Sequence, residues 1–295
     1  MKKKQAFFQM EINMKKFGSF FFTFVPLLLA LSLQFAALFF AMGVSLLWEN
    51  LWYGYGAIHK LSFTEIYTDL VVLWSNNRFN TSVMILFSLF CTGIFGLWYY
   101  SRYEGEFLPE HPGFFRPCSI FGIILLAPAT QVLTSFLISI IAMIFPAWLK
   151  AYETLIESAG MNDVTLPVIC YSVLLAPFSE ELIFRGVTMR QAKKVLPFWA
   201  ANLFQAVLFG VFHMNILQGI YACCLGLVMG YICEKCGSIY YSIFFHFLYN
   251  LLGTVVMTSI NIGSTPTSVI LSFFVSVIAA VSGFLLLQVR SQKTD

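Results

Sequence analysis

The chain has 295 residues, of which 59% are hydrophobic and only 11% are charged. Soluble domains are about 25% charged, so this composition argues against a soluble protein. The net charge of +3 is small, and no basic patch with interleaved aromatic residues is visible, so we expect no nucleic-acid partner. The mean hydropathy of +0.81 indicates a polytopic membrane protein, with membrane lipid as its first partner.

Long apolar runs divide the chain into predicted transmembrane helices, each of which needs about 20 mostly apolar residues. The runs that meet this length cover residues 17–48, 79–101, 117–149, 164–190, 196–233 and 237–288. The last two are too long for one helix, and turn-like segments near 215–219 and 261–266 divide each of them in two. The predicted fold class is therefore all-α, a polytopic membrane bundle of about eight transmembrane helices.

The distribution of Lys and Arg predicts the orientation, because cytoplasmic loops of membrane proteins carry an excess of these residues. With the N-terminus placed inside, three of the 17 Lys and Arg fall in outside loops, namely Lys60, Arg78 and Lys150. Arg185 lies within a span, and the other 13 fall inside. We therefore expect both termini to be cytoplasmic. The first apolar run is too long for a signal peptide, so we expect an uncleaved first span.

Five ionisable side chains fall at membrane depth, all within one part of the sequence. A charged side chain inside a bilayer costs several kcal/mol, so such residues usually mark a functional site. They are Glu180, Glu181, Arg185, His213 and His246.

The spacing of the first three predicts different roles for the two glutamates. Glu181 and Arg185 are four residues apart with the acid first, which favours an ion pair along one helical face. Glu180 lies about 100° around the helix from its neighbour, so we expect it to face a cavity.

The two histidines also have patterned neighbours. His213 follows Phe209 by four residues, and His246 precedes Asn250 by four, so each pair shares a helical face. A buried glutamate can act as a general base on water, and a histidine can orient that water, act as an acid or bind a metal. An asparagine can donate its amide protons to a developing oxyanion. This combination of residues predicts hydrolysis of an amide bond by activated water.

The residues leave two mechanisms open. Glu180, His213 and His246 plus a water form an acceptable ligand set for a catalytic divalent metal such as zinc. The compact His-Glu-x-x-His motif is absent, and each ligand would come from a different helix. The alternative is water activation by glutamate and histidine alone.

Three motifs in order resemble the signature of the CPBP family of CAAX proteases and bacteriocin-processing enzymes, which includes the type II CAAX prenyl endopeptidases. The motifs are Glu180-Glu181-x-x-x-Arg185, Phe209-x-x-x-His213 with Asn215 after it, and His246-x-x-x-Asn250. The resemblance implies an eight-helix intramembrane endopeptidase. It implies catalytic roles for Glu180, His213, His246 and Asn250, and supporting roles for Glu181, Arg185, Phe209 and Asn215.

The apolar runs, together with the resemblance, predict the organisation and setting of the chain. Residues 1–163 would form three transmembrane helices with interfacial loop segments, and residues 164–295 a catalytic helical core with a C-terminal helix, together one integral membrane unit. Substrates would be prenylated CaaX termini, leader peptides or other membrane-associated peptides. The expected location is a bacterial plasma membrane, and the sequence does not predict an oligomeric state.

Two other functions are compatible with buried Glu and His: a proton-coupled membrane transporter, and a non-catalytic bacteriocin self-immunity protein. A geometric conflict is also expected. In a simple hairpin Glu180 lies near mid-membrane and His213 near the outer end of the next span, which separates them by roughly 15 Å at 1.5 Å per residue. A shared site requires a tilt, a kink or an earlier helix end.

Overall fold

A computed structural model describes residues 18–53, 71–73, 76–107, 116–162, 164–256 and 265–289. These residues form helices joined by short turns, and none of the described residues lies in a strand. The predicted fold class is confirmed, because the chain is a polytopic bundle of apolar helices. The predictions for residues 1–17, for most of the loop between the first two spans and for the C-terminal tail lie outside the described residues.

Four helices form most of the first part of the fold among the residues that the structure describes. They are α1 (Val25–Tyr53), α2 (Asn77–Phe107), α3 (Pro117–Ile144) and α4 (Pro146–Ser158). The span predicted within residues 117–149 ends at Ile144, because the helix breaks at Phe145. Pro146 has no N–H and excludes the helical conformation from the residue before it, and Phe145 accordingly has φ −129° and ψ 69°.

The second part contains five helices. They are α5 (Leu166–Lys193), α6 (Phe198–Phe212), α7 (Ile216–Cys236), α8 (Ile239–Val255) and α9 (Pro266–Gln288). Helices α6 and α7 are separated by a break at residues 213–215, two residues earlier than predicted. Among the described residues, six helices are long and apolar enough to cross a membrane, and α6 and α8 are shorter apolar helices. The number of eight spans, the orientation and the division at residue 163 stay predictions.

Small residues allow α6 and α7 to approach closely, as is common in membrane helix pairs. A Cβ atom added to Gly210 would lie 2.5 Å from the carbonyl oxygen of Gly219, and one added to Gly219 would lie 2.9 Å from that of Gly210. About two turns after Gly219 on α7, a Cβ on Gly226 would lie 2.9 Å from Ala206, which is one turn before Gly210 on α6. The close packing brings the backbone of α7 within reach of side chains on α6.

Helix α5 runs through the middle of the bundle. Every residue from Ser179 to Met189 is buried, and α1, α2, α6 and α8 pack around this stretch. The charged residues of α5 are therefore enclosed by protein. Helix α4 is the opposite case, since none of its residues is buried; it packs against α3 and α7, and its last residue, Ser158, accepts a hydrogen bond from Asn80 on α2.

Candidate active site

Two π-helical stretches, whose turns are wider than those of an α-helix, flank the glutamates on α5. The stretches Cys170–Leu175 and Leu182–Thr188 are π-helical, so their N–H groups bond five residues back instead of four. The regular α-helical stretch Ala176–Glu181 lies between them and carries Glu180 and Glu181. Short π-helical stretches are frequent at functional sites, because the extra residue shifts the following side chains around the helix axis.

The first widened turn leaves one carbonyl group without a helical partner, and Asn250 binds it. In this turn the N–H of Ala176 bonds to the carbonyl of Tyr171, five residues back. The next bond in the series would join residue 177 to Ser172, but Pro177 has no N–H. The side-chain amide of Asn250 on α8 donates to the Ser172 carbonyl instead, at 2.8 Å. Asn250 thereby ties α8 to the turn that precedes the glutamates.

Glu181 and Arg185 form the ion pair that their spacing predicts. Arg185 Nη1 lies 2.9 Å from Glu181 Oε1, and both side chains are fully buried. Arg185 Nη2 donates to the carbonyl of Gly226 on α7 at 3.2 Å, and the guanidinium carbon lies 4.6 Å from the centre of the Phe209 ring. The arginine therefore connects three helices around a charge that no water reaches.

His246 lies between the two glutamates. Its Nδ1 is 3.0 Å from Glu181 Oε1, and its Nε2 is 3.7 Å from Glu180 Oε2. An ionised carboxylate can only accept, so the contact with Glu181 places the proton on Nδ1 and leaves the Nε2 lone pair towards Glu180. Glu181 thus binds both Arg185 and His246 through the same oxygen, which gives it a wider role than the pairing expected from the sequence.

The Phe209 ring brings the two histidines to one place. Its centre lies 4.9 Å from the His213 ring, 6.0 Å from the His246 ring and 5.0 Å from the Phe184 ring. Helices α5 and α6 run in opposite directions, and Arg185 on α5 lies against Phe209 on α6. His213, one turn after Phe209, is therefore at the level of the helical turn that precedes Arg185. That turn carries Glu180 and Glu181.

The expected conflict in depth depends on where α6 ends. Helix α6 has 15 residues and is about 22 Å long, which is shorter than the span assumed in a simple hairpin. Its early end puts His213 in the break at residues 213–215, against the Phe209 ring that His246 also contacts. Met214 follows with φ 53°, a left-handed conformation that is uncommon for a residue with a Cβ and is often found at functional sites.

Asn215 lies in the same break and begins α7. Its side-chain oxygen accepts from the N–H of Gln218 at 3.0 Å, which is the usual interaction of a helix N-cap. The motifs predicted a supporting role for this residue, and its contact in the structure is with the backbone of α7.

Two buried polar residues of α6 were not predicted from the sequence. Gln205 Nε2 lies 2.8 Å from Asn202 Oδ1 and donates to the Gly226 carbonyl at 2.9 Å. Asn202 Nδ2 donates to the Leu227 carbonyl at 3.0 Å. The Gly226 carbonyl therefore accepts from both Gln205 and Arg185, which joins these two residues to the ion pair.

The sequence contains a pattern from which one of these two residues, Gln205, could have been predicted. Gln205, Phe209 and His213 follow one another at intervals of four residues, so they share a face of α6. A polar residue on the same face as a candidate catalytic histidine, in an apolar span, indicates a partner within the bundle.

The predicted metal ligands do not assemble into a metal-binding group. In the part of the chain that the structure describes, no group of three or more His, Cys, Asp or Glu side chains is placed to hold a metal ion. The set Glu180, His213 and His246 does not fit a zinc ion in this arrangement, so no step below passes through a metal.

The comparison with protein-family models agrees with the three motifs. Residues 162–252 match the family model described as Type II CAAX prenyl endopeptidase Rce1-like. The chain contains an Rce1-like domain. The family suspected from the motifs is thus confirmed over this segment, which includes all the site residues from Glu180 to Asn250. No curated protein and no solved structure matches the chain.

The Rce1-like domain extends from the turn before α5 into the last turns of α8. It therefore contains the buried ion pair, both histidines and the break after α6. The match to this family supports a function of the membrane endopeptidase kind. The match and the apolar helices together indicate an integral, multi-pass membrane protein.

Proposed function

We propose that the chain is an intramembrane endopeptidase in which Glu180 activates a water molecule to hydrolyse a peptide bond. The arrangement of His246 between the two glutamates carries the proposal. Because Glu181 holds the Nδ1 proton, the Nε2 lone pair of His246 and the Glu180 carboxylate are two acceptors 3.7 Å apart. A single water can donate one hydrogen bond to each of these acceptors. This orients a lone pair of the water oxygen towards a substrate carbonyl.

The reaction balances with water as the only co-reactant. The water oxygen attacks the carbonyl carbon of the scissile peptide bond while Glu180 takes one of its protons. The tetrahedral intermediate collapses, the C–N bond breaks, and the proton held by Glu180 moves to the leaving nitrogen. The products are a carboxylic acid and an amine, and Glu180 returns to its ionised form.

The developing oxyanion requires a hydrogen-bond donor. His213 is the candidate, because its half-buried ring lies at the end of α6 against the same Phe209 ring that His246 contacts. Asn250 uses one amide hydrogen on Ser172, so its second hydrogen is available to the substrate or the intermediate. Glu181 and Arg185 act through His246, as positioning residues.

We further propose that the substrates are CaaX-type C-termini or leader peptides of membrane-associated proteins, including lipidated ones. An active site enclosed by apolar helices is accessible to a peptide that is already in or on the bilayer, and a lipid anchor would bring it there. The excess of Lys and Arg on one side supports cytoplasmic termini, and we propose a bacterial plasma membrane as the location.

A cleavage assay on the full-length protein in detergent or liposomes tests the proposal. The probes are a farnesylated peptide that ends in a CaaX sequence and an unmodified leader-type peptide. Product is followed by mass spectrometry, which gives the bond that is cleaved. We expect cleavage by the wild-type protein and loss of cleavage in Glu180→Gln, with Glu157→Gln as a matched control because Glu157 is exposed on α4.

Equal cleavage by Glu180→Gln and Glu157→Gln would refute the assignment of the site. A wild-type protein that cleaves neither peptide but moves protons or solutes across liposomes would favour a transporter. A protein without either activity that still protects cells from a bacteriocin would favour the immunity function.

A further inference from the structure

The face of α8 that carries two of the site residues also carries a buried serine. Ser242, His246 and Asn250 follow one another at intervals of four residues, so they share one side of the helix. His246 contacts Glu181 and Asn250 contacts Ser172, both on α5, so this side of α8 faces α5. Ser242 is fully buried on the same side. It therefore lies within the contact between α8 and α5.

Two contacts fix the position of Ser242 relative to α5. Three residues before it, the Cδ1 atom of Ile239 lies 3.2 Å from the position of a Cβ atom added to Gly186. Four residues after it, His246 Nδ1 lies 3.0 Å from Glu181 Oε1. Because the order of these contacts is opposite along the two helices, Ser242 lies level with the stretch from Glu181 to Gly186. That stretch contains the buried ion pair.

The Glu181 carboxylate is hydrogen-bonded through one of its two oxygens. Arg185 and His246 both bind Oε1, whereas Oε2 is buried and has no hydrogen-bond partner among the described residues. An ionised carboxylate can accept about four hydrogen bonds, and a buried charged acceptor without a donor carries the full cost of its lost hydration. A further donor inside the bundle would therefore stabilise the ionised form of Glu181.

Ser242 can supply this donor. Its hydroxyl and the Glu181 carboxylate lie within hydrogen-bonding reach of each other. In the structure the hydroxyl donates to the carbonyl of Ile239, in its own helix, at 2.9 Å. Rotation about the Cβ–Oγ bond moves the single hydroxyl hydrogen from one acceptor to the other. Because a hydrogen bond to a charged group is stronger than one to a neutral carbonyl, the ionised carboxylate is the favoured acceptor.

We propose that Ser242 is a positioning residue whose hydroxyl donates a hydrogen bond to the Glu181 carboxylate and holds it ionised against His246. This inference rests on the proposed endopeptidase function. An ionised Glu181 keeps the proton of His246 on Nδ1, which leaves Nε2 to accept from the reacting water. In this role Ser242 acts through Glu181 and not on the substrate.

The experiment is a double-mutant cycle on the full-length protein with Ser242→Ala, Glu181→Gln and both changes together. Glutamine has one oxygen, which Arg185 occupies, and its amide nitrogen cannot accept from a serine. The effect of Ser242→Ala should therefore disappear in the Glu181→Gln protein. Thr188→Val is the matched control, because Thr188 is also fully buried and its hydroxyl donates to a carbonyl of its own helix, that of Ile183, at 2.8 Å.

Ser242→Ala should lower kcat about 2- to 12-fold for the peptide that the wild-type protein cleaves, the range of one hydrogen bond, and should change KM by less than about twofold. In the Glu181→Gln protein the same change should lower kcat by less than about twofold. Thr188→Val should have the same effect in both backgrounds. The equilibrium constant of unfolding, measured for the same proteins in detergent, should show the same pattern, with an increase of about 2- to 12-fold for Ser242→Ala in the wild-type background alone.

The inference is overturned if Ser242→Ala and Glu181→Gln have additive effects on both kcat and the unfolding constant, because the two side chains then do not interact. In a protein that cleaves the peptide, it is also overturned if the coupling occurs in unfolding alone, or if Ser242→Ala raises KM and leaves kcat unchanged. Failure of the proposed function has a different signature, namely unchanged cleavage by Glu180→Gln. The unfolding measurement tests the bond between Ser242 and Glu181 even if no peptide is cleaved, since additive unfolding effects alone then overturn the inference.

Discussion

Two adjacent carboxylates in this protein have opposite surroundings. Glu181 is fully buried and shares one oxygen between Arg185 and His246. Glu180 is partly exposed, and in the part of the chain that the structure describes its contact at ion-pair distance is the 3.7 Å one to His246. We call the enclosed side, which contains Glu181 and Arg185, the sealed side of the site. Glu180, one residue earlier and about 100° around the helix, faces the partly exposed side, which we call the open side.

The difference teaches how a bundle can keep an ionised residue reactive. A carboxylate that is ion-paired and fully buried has its charge compensated and is closed to water, so it is a poor base for a substrate water. A carboxylate with no partner would be too costly to bury. Here the sealed side compensates the charge and fixes His246, and the open side leaves Glu180 able to take a proton. The comparison predicts that variants on the open side lose activity and variants on the sealed side lose stability.

The largest expected effect is the loss of activity in Glu180→Gln. General base catalysis contributes about 10²- to 10⁴-fold, so we expect kcat to fall by that factor. The free energy of unfolding should change by less than about 1 kcal/mol, because glutamine has the same shape and the 3.7 Å separation of Glu180 from His246 exceeds hydrogen-bond distance. Cleavage rates and thermal unfolding in the same detergent measure both quantities.

A strongly destabilised Glu180→Gln protein would contradict the division into two sides. It would mean that Glu180 also holds the bundle together, in which case its loss of activity would say little about catalysis.

Arg185→Met should have the largest effect on stability. It leaves Glu181 buried next to an apolar side chain and removes one of the two donors to the Gly226 carbonyl. Removing one partner of a buried ion pair costs about 3–5 kcal/mol, so we expect a corresponding decrease in the free energy of unfolding.

The double variant Glu181→Leu with Arg185→Met is the control for this interpretation. Since it removes both charges, it should be considerably more stable than Arg185→Met while remaining inactive. If the double variant unfolds as easily as the single one, the charge of Glu181 is not the cause.

Glu181→Gln is expected to lower both stability and activity by intermediate amounts. Glutamine can accept from Arg185, but it has no charge and can donate to His246, so the tautomer with the proton on Nδ1 is no longer favoured. A hydrogen bond to a charged group is worth about 1.5–3 kcal/mol, which corresponds to a decrease in kcat of about 10- to 150-fold. The measurement is kcat against KM, and an increase in KM alone would show that Glu181 acts on binding and not through His246.

The helices and the ion pair on α5 could be predicted from the sequence, because both depend on composition and local spacing. Apolar runs predicted the bundle, and the four-residue spacing of Glu181 and Arg185 predicted their contact. The open or sealed surroundings of each glutamate depend on which helix lies against it, and spacing along one helix does not determine that.

The errors have local causes. The π-helical turns of α5 follow from Pro177 and from packing, and a pattern with a period of 3.6 residues does not reveal an extra residue in a turn. The end of α6 at Phe212 coincides with the left-handed backbone conformation of Met214. No glycine or proline at residues 213–215 predicts a turn there. The early end of α6 sets the position of His213 against Phe209, which a simple hairpin with a longer helix did not predict.

The smallest expected effect tests how far the sealed side extends. Gln205→Met removes the donor to Gly226 and Asn202 but fills a similar volume, and we expect a decrease in kcat of about 2- to 12-fold with unchanged KM. If Gln205 acts through Arg185, the kcat changes of Gln205→Met and Arg185→Lys should be non-additive in a double-mutant cycle. Additive changes would indicate two independent packing defects. The sealed side would then end at the ion pair, and Gln205 would serve only to hold α6 against α7.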